Sequence, residues 1–156
     1  MNVSIRPAQE NEINILLNFE NGIIEAERPF DSTLKGGEIH YYDLVELIRS
    51  SEAEVVVAVV DEEVVGSGFA KIKKAEAFLK HDRFAYLGFM YVKPEFRRMG
   101  INQLILGTLI NWAKSKGLSE IRLQVYDENV NAKKAYFKAG FKPDMLVMRM
   151  EVSEVK

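Results

Sequence analysis

The chain has 156 residues, 47% hydrophobic and 28% charged, with a formal net charge of −2. That length and apolar content suit one domain, residues 1–156, with a proper core, and exclude a disordered or fibrous chain. The slightly acidic balance offers no basic stripe to nucleic acid, and the absence of cysteine excludes disulfides, thiolate metal sites and cysteine nucleophiles.

Val3–Arg6 reads as a short strand stopped by Pro7. No apolar signal core follows Met1, and no run approaches the roughly 18 apolar residues of a membrane span, so a cytoplasmic protein with no membrane partner is expected. Apolar residues at Ile13, Leu16, Leu17, Ile23 and Ile24 predict a helix over 10–27, ended by Pro29. A polar loop with Gly36-Gly37 leads to a second short helix over 41–48. Valine-rich 54–60, then 64–73 after an acidic turn, then the apolar run 84–92 predict three strands, the last in a central position. Ile101, Leu104, Ile105, Leu109, Trp112 and Ala113 mark one face of a long helix over 98–116. A strand over 121–125, a helix over 129–139 closed by Gly140, and a last strand over 145–152 complete the chain. The order predicts a single α/β domain built on one mixed sheet. The two histidines, His40 and His81, have no HExxH-like spacing, so no metal is expected.

The segment from Tyr91 to Leu104 carries the chemistry. A buried strand ends at Val92, a turn containing Arg97, Arg98, Met99 and Gly100 follows, and a helix begins at Ile101, Asn102 and Gln103. Such a turn presents unpaired N–H groups and the positive end of a helix dipole, which suit a phosphate. Alone, the turn reads better as an ordinary solvated connector, and it matches neither the GxGxxG nor the GxxxxGK[ST] pattern.

A second segment changes the weighing. Val92, Pro94, Arg97 and Gly100 fit V-x-P-x-x-[RQ]-x-x-G-x-[GA]. Asn129, Ala132, Tyr136, Gly140 and Phe141 fit N-x-x-A-x-x-x-Y-x-x-x-G-F. Together they resemble the GNAT superfamily of N-acetyltransferases. The resemblance implies a mostly antiparallel mixed sheet, helices on both faces and a splayed parallel strand pair. It implies acetyl-CoA as cosubstrate and no metal. The pantetheine arm would lie along Met90, Tyr91 and Val92, and the pyrophosphate against Arg97, Arg98, Met99, Gly100, Ile101, Asn102 and Gln103. Asn129 would steady the arm. A main-chain N–H near Met90 would polarise the acetyl carbonyl, and Tyr136 would protonate the departing thiolate. Many relatives pair through a C-terminal strand, which leaves a homodimer open.

The departures matter too. Asn102 stands where the family prefers Gly or Ala. Leu87, Gly88 and Gln124 occupy the places where relatives carry a basic glutamate. The base then lies elsewhere, is a water chain, or is not required for an amine already partly neutral; the default candidates are Glu25, Glu27, Asp31 and His40, with His40 alone having an ordinary pKa near neutrality. If Glu20, Glu25, Glu27 and Asp31 line the cleft, they favour a cationic acceptor. The sequence thus points to an N-acetyltransferase acting on a small-molecule or peptide amine. The alternative is a CoA-binding regulatory or interaction domain without turnover.

Overall fold

The computed structural model describes all 156 residues. Its strands are β1 (Val3–Pro7), β2 (Ala53–Val60), β3 (Glu63–Lys74), β4 (Arg83–Val92) and β5 (Ile121–Leu123), and its helices α1 (Ile13–Glu27), α2 (Leu44–Arg49), α3 (Ile101–Ser115) and α4 (Val130–Ala139). The sheet order is β1-β2-β3-β4-β5. The first four strands are antiparallel neighbours; β4 and β5 run parallel. β4 is an interior strand, as its apolar run suggests, but β3 is the central one. No helix is long and apolar enough to cross a membrane.

The alternation of side chains along the strands feeds two separate cores. On one face Val56, Ala58, Val65, Leu87 and Val92 pack against Ile101, Ile105, Leu106 and Leu109 of α3, with Tyr136 and Ala139 of α4 at the margin. On the other, Val55, Val57, Phe69 and Phe89 meet Leu16 and Phe19 of α1 and Leu44 and Leu47 of α2. Helices therefore cover both faces, and the sheet is buried through most of its width.

Several features differ from the sequence expectation. The second helix begins at Leu44 rather than 41, and the long helix at Ile101 rather than 98, because Arg98 and Gly100 are left-handed. β5 ends at Leu123 rather than Val125. The expected last strand over 145–152 does not form: Met145, Leu146, Val147, Met148 and Met150 join no sheet and are largely exposed. Its consecutive apolar residues give it no polar face for solvent, and β5 offers only a short edge. The one firm tether is the Arg149 guanidinium, which donates to Asp31 and to the Thr33 hydroxyl.

Glycine permits the close packing around β3. A Cβ at Gly66 would lie 2.8 Å from the Tyr91 carbonyl oxygen, a backbone atom that cannot give way without opening the β3–β4 ladder. A Cβ on Gly107, within α3, would meet nothing within 4 Å. Gly66→Ala should therefore lower the unfolding free energy by about 1–3 kcal/mol, the usual cost of overpacking. Gly107→Ala should raise it by up to about 1 kcal/mol through helix propensity. Urea denaturation at constant m-value checks both signs.

Candidate active site

The site is made where the sheet comes apart. β4 and β5 pair at Ala85↔Ile121, Tyr86↔Arg122 and Leu87↔Leu123, and no further. Immediately beyond, β4 bulges: Ser67 faces Tyr91 and Phe69 faces Gly88, so Gly68 alone opposes both Phe89 and Met90. Phe89 adopts φ 59°, the left-handed region that an aromatic side chain avoids. Two hydrogen bonds hold it there. The buried Ser67 hydroxyl donates to the Phe89 carbonyl at 2.9 Å, and the Phe89 N–H donates to the Tyr42 hydroxyl at 3.2 Å. Past the bulge the Lys93 N–H returns to the Val65 carbonyl. Antiparallel alternation then turns the main-chain groups of Tyr91 toward β3 and those of Met90 and Val92 toward the gap left by β5.

At the far end of the gap the chain turns into α3. Arg98 has φ 65° and Gly100 φ 81°, two left-handed residues flanking Met99. From Arg98 to Gln103 no main-chain N–H donates to another protein group; the first bond of the helix is Leu104 N–H to the Gly100 carbonyl. These consecutive free donors, with the exposed Arg98 beside them, form a concave anion seat. Asn102 is half-buried in it, and Ile101 is wholly buried in the core below. Arg97 is otherwise engaged: its Nε donates to the Val92 carbonyl at 2.8 Å and its guanidinium lies 5.6 Å from the Tyr91 ring centre. Gln103 spends its side-chain amide on the Ala135 carbonyl, tying α3 to α4.

Helix α4 forms the other wall. Asn129 caps it, its side-chain oxygen accepting from the Ala132 N–H. Tyr136 is half-buried on α4, edge-on to Phe141. Burial pushes its phenol up to about 12, with the charge of Glu27 and then Tyr86 contributing. The residues and main-chain groups present fit an acyl-CoA: an open strand edge for an amide-bearing arm, and a seat of free N–H groups for a pyrophosphate.

The sequence model of the acetyltransferase (GNAT) family matches residues 21–141. The chain belongs to the GNAT acetyltransferase family. A variant of the Bacillus halodurans protein BH1408 superposes with a TM-score of 0.86 at 19% identity, covering 96% of this chain and 99% of that one. The aminoglycoside acetyltransferase AAC(6')-Iy, solved with a CoA-linked bisubstrate analogue, superposes at 0.72 with 18% identity over 97% and 98% of the two chains. A predicted acetyltransferase from Clostridium acetobutylicum, solved with acetyl-CoA, superposes at 0.69 with 20% identity over 99% of each. Among curated proteins, thialysine N-epsilon-acetyltransferase of Bos taurus is 41% identical over 58 residues. That match spans 37% of this chain and about a third, 34%, of the bovine protein.

The acidic residues that the sequence offers separate sharply. Glu20 is 1% exposed and fully employed: its carboxylate accepts from the N–H groups of Tyr41 and Tyr42, both at 2.9 Å, and from His40 Nδ1 at 2.7 Å. It fastens the 38–43 loop to α1 rather than facing a substrate. Glu25 is exposed and paired with Arg28. Asp31 accepts from the Thr33 hydroxyl and N–H, from Tyr126 and from Arg149, and these bonds hold its carboxyl far below the usual range. His40 is bracketed by Glu20 and Glu38, and the Glu20 hydrogen bond raises its pKa, so its Nδ1 is engaged in a clamp rather than free. Gln124, beyond the end of β5, accepts from the Tyr86 hydroxyl at 3.3 Å. Glu27 alone keeps a half-buried carboxylate with no cationic partner.

The bulge pins Ser67 and Tyr42 and the clamp Glu20 were not singled out as such by the sequence; their roles depend on contacts distant in the chain. The clamp has a pH signature. A histidine whose folded-state pKa lies above its unfolded value stabilises fully below the unfolded value, about 6.5, and loses that contribution as pH rises through the folded value. The melting-temperature gap between the wild type and His40→Gln should be largest near pH 6 and shrink toward alkaline pH, as read by calorimetry at matched ionic strength.

Proposed function

We propose that this GNAT chain is an N-acetyltransferase that moves the acetyl group of acetyl-CoA to a primary amine of a small molecule or peptide, by direct attack on the thioester. The observation that carries this reading is the run of free N–H groups from Arg98 to Gln103 directly after the strand that holds Met90. The half-buried Tyr136 lies on α4, which Gln103 ties to α3. The aminoglycoside acetyltransferase and the bovine thialysine acetyltransferase, both similar to this chain, support an amine acceptor of small size.

Acetyl-CoA, when bound, supplies an acyl thioester. The rest is done by the chain's own groups. Met90, between Tyr91, Val92 and the bulge, offers its N–H and carbonyl to the pantetheine amides, and the N–H nearest the bulge serves as an oxyanion donor. Arg97 braces the turn through Val92, while Arg98, Met99, Gly100, Ile101, Asn102 and Gln103 supply the phosphate seat. Asn129 keeps its side-chain NH2 free to donate. Tyr136, with a pKa near 12, stays protonated at neutral pH and can give its proton to the leaving thiolate. Tyr136 also packs against the core and Phe141; its place in the family motif is what favours the enzyme over a CoA-binding domain without turnover.

The same reading takes the chain as a homodimer in a cytoplasmic setting. What supports a dimer is the presence in one chain of an exposed apolar stretch, Met145–Met150, and of an edge strand, β5, with no outer neighbour. Met148→Pro, which removes one ladder donor, should then halve the mass seen by light scattering; an unchanged mass would rule out pairing through this stretch.

Acetyl-CoA should raise the melting temperature by mass action, and ATP should not. Tyr136→Phe should keep that shift while kcat falls about 10²-fold or more in an amine panel assayed by thiol release. An absent shift for acetyl-CoA far above micromolar concentration, or full activity in Tyr136→Phe, would overturn the assignment.

A further inference from the structure

We infer that two side-chain bridges from the chain just past β5, Gln124 to Tyr86 and Tyr126 to Phe30 and Asp31, frame a window over the β4–β5 gap through which the acceptor enters, so that this chain selects narrow, unbranched primary alkylamines. The inference rests on the acetyl-transfer reading above and adds to it the class of amine and the residues that set it.

The frame follows from contacts. Helix α3, which follows the free N–H groups, covers one face of the sheet, and α1 covers the other. A cosubstrate seated at α3 leaves the α1 face for the amine. β4 and β5 last pair at Leu87 and Leu123. Just past that pair, the Tyr86 hydroxyl donates to Gln124 Oε1 at 3.3 Å. Farther along, the Tyr126 hydroxyl donates to Asp31 at 2.9 Å, and the Tyr126 ring stacks on Phe30 with centres 6.0 Å apart. Gln124 and Tyr126 have the spacing of two that puts extended side chains on one face. Tyr86 and Tyr91 pack on the α1 side of β4.

Phe30 and Asp31 follow α1 directly, and α1 is itself laid on the β4 side of the gap. Phe19 stacks on Tyr91 at 4.8 Å, and Gly22 lies against the same ring. The path from Tyr91 through α1 to Phe30, Asp31 and Tyr126 therefore crosses from the β4 side to the β5 side. The Tyr86–Gln124 bond crosses at the closed end of the gap.

The far bridge is the stiffer one. Asp31 also accepts from the Thr33 N–H and hydroxyl and from Arg149, which donates in turn to Thr33. Arg28 donates to the Lys35 and Gly37 carbonyls and closes the loop on itself. Burial pushes the Tyr126 phenol up to about 12, and the Asp31 bond adds to the rise, so the hydroxyl remains a donor at neutral pH. The Asp31 side chain is 10% exposed and spent on these bonds, so it is a positioning residue and meets no amine. The rim itself is aromatic: Tyr86, Phe30 and Tyr126 are each half-buried, and Lys73 Nζ sits 4.1 Å over the Tyr86 ring. Rings fixed at both ends pass a methylene chain. Branching beside the amine would overpack them and strain a charge-assisted hydrogen bond.

The test compares the wild type with Tyr126→Phe and Gln124→Ala, which open one bridge each, and with Lys114→Gln, an exposed control on α3. Circular dichroism follows the fold and acetyl-CoA thermal shift follows cosubstrate binding. Selectivity is read as kcat/KM for two amines of similar basicity, butylamine and the branched neopentylamine. The wild type and Lys114→Gln should prefer butylamine by about 10-fold or more. Tyr126→Phe should cut that preference several-fold, through a lower KM for neopentylamine, with the acetyl-CoA shift unchanged. Gln124→Ala should cut it as well, and the double variant more than either. A purely structural loss would lower turnover of both amines alike and leave their ratio as it was. An unchanged ratio in both variants, a wild type that takes neopentylamine as readily as butylamine, or turnover of other amines but not of butylamine would overturn the inference while leaving acetyl transfer standing. Failure of acetyl-CoA to stabilise the wild type would remove both.

Discussion

An aromatic residue held in the left-handed region costs about 1–3 kcal/mol, and the cleft of this protein depends on one being held there. At Phe89 the strain produces a bulge, and the bulge coincides with the point where β4 and β5 stop pairing. Without it, β4 would continue its register, Met90 would face β3, and Phe89 and Tyr91 would take its place at the open edge left by β5. Ser67 and Tyr42 hold the bulge from its two ends. Gly68 leaves room beneath it, since a Cβ there would lie 2.9 Å from the Met90 sulfur and 2.7 Å from an Ile105 methyl carbon.

That constraint reaches the acceptor side through a short chain of bonds. Glu20, buried on α1, accepts the Tyr42 N–H; the Tyr42 hydroxyl in turn accepts the Phe89 N–H. Helix, loop and strand are thus fixed to one another by a carboxylate that a substrate never needs to touch. Tyr91 completes the same interface: it stacks on Phe19 at 4.8 Å, and Gly22 makes way for its ring, where a Cβ would lie 2.7 Å from it. The opening and the groups meant to face an acceptor are positioned by one network, so a change on α1 can alter the acetyl side without contacting it.

The family, the element order and the helix-leading turn were legible because they are local: a strand end, a Gly-bearing turn and periodic apolar residues lie within short stretches of chain. The bulge was half-legible. Tyr86, Phe89 and Tyr91 lie in one core, and the step of three from 86 to 89 breaks the period of two. Strict alternation would have put Phe89 on the opposite face, so the spacing itself marks the extra residue. The acidic residues were not separable by sequence. Glu20, Glu25, Glu27 and Asp31 look alike in a string, and only burial and partners from residues 28 to 149 distinguish a clamp, a surface pair, a loop anchor and a free carboxylate. The last strand failed for a related reason: a pattern of apolar residues predicts an extended segment, while whether an edge awaits it is a property of the sheet.

The charge layout gives the cleft its direction. With a net charge of −2 the molecule as a whole favours neither a polyanion nor a polycation. Locally the two ends differ. One end gathers unpaired N–H groups and Arg98; on the α1 side, Asp31 is engaged by Arg149 and hydroxyl donors. Arg97, although it fits the motif, adds little free charge to the first end, because its guanidinium is turned back onto Val92 and Tyr91. The anion seat thus rests mainly on backbone dipoles, which need no side chain to be ordered and change little with pH. On physical grounds such a phosphate seat should tolerate side-chain change so long as the turn keeps its shape.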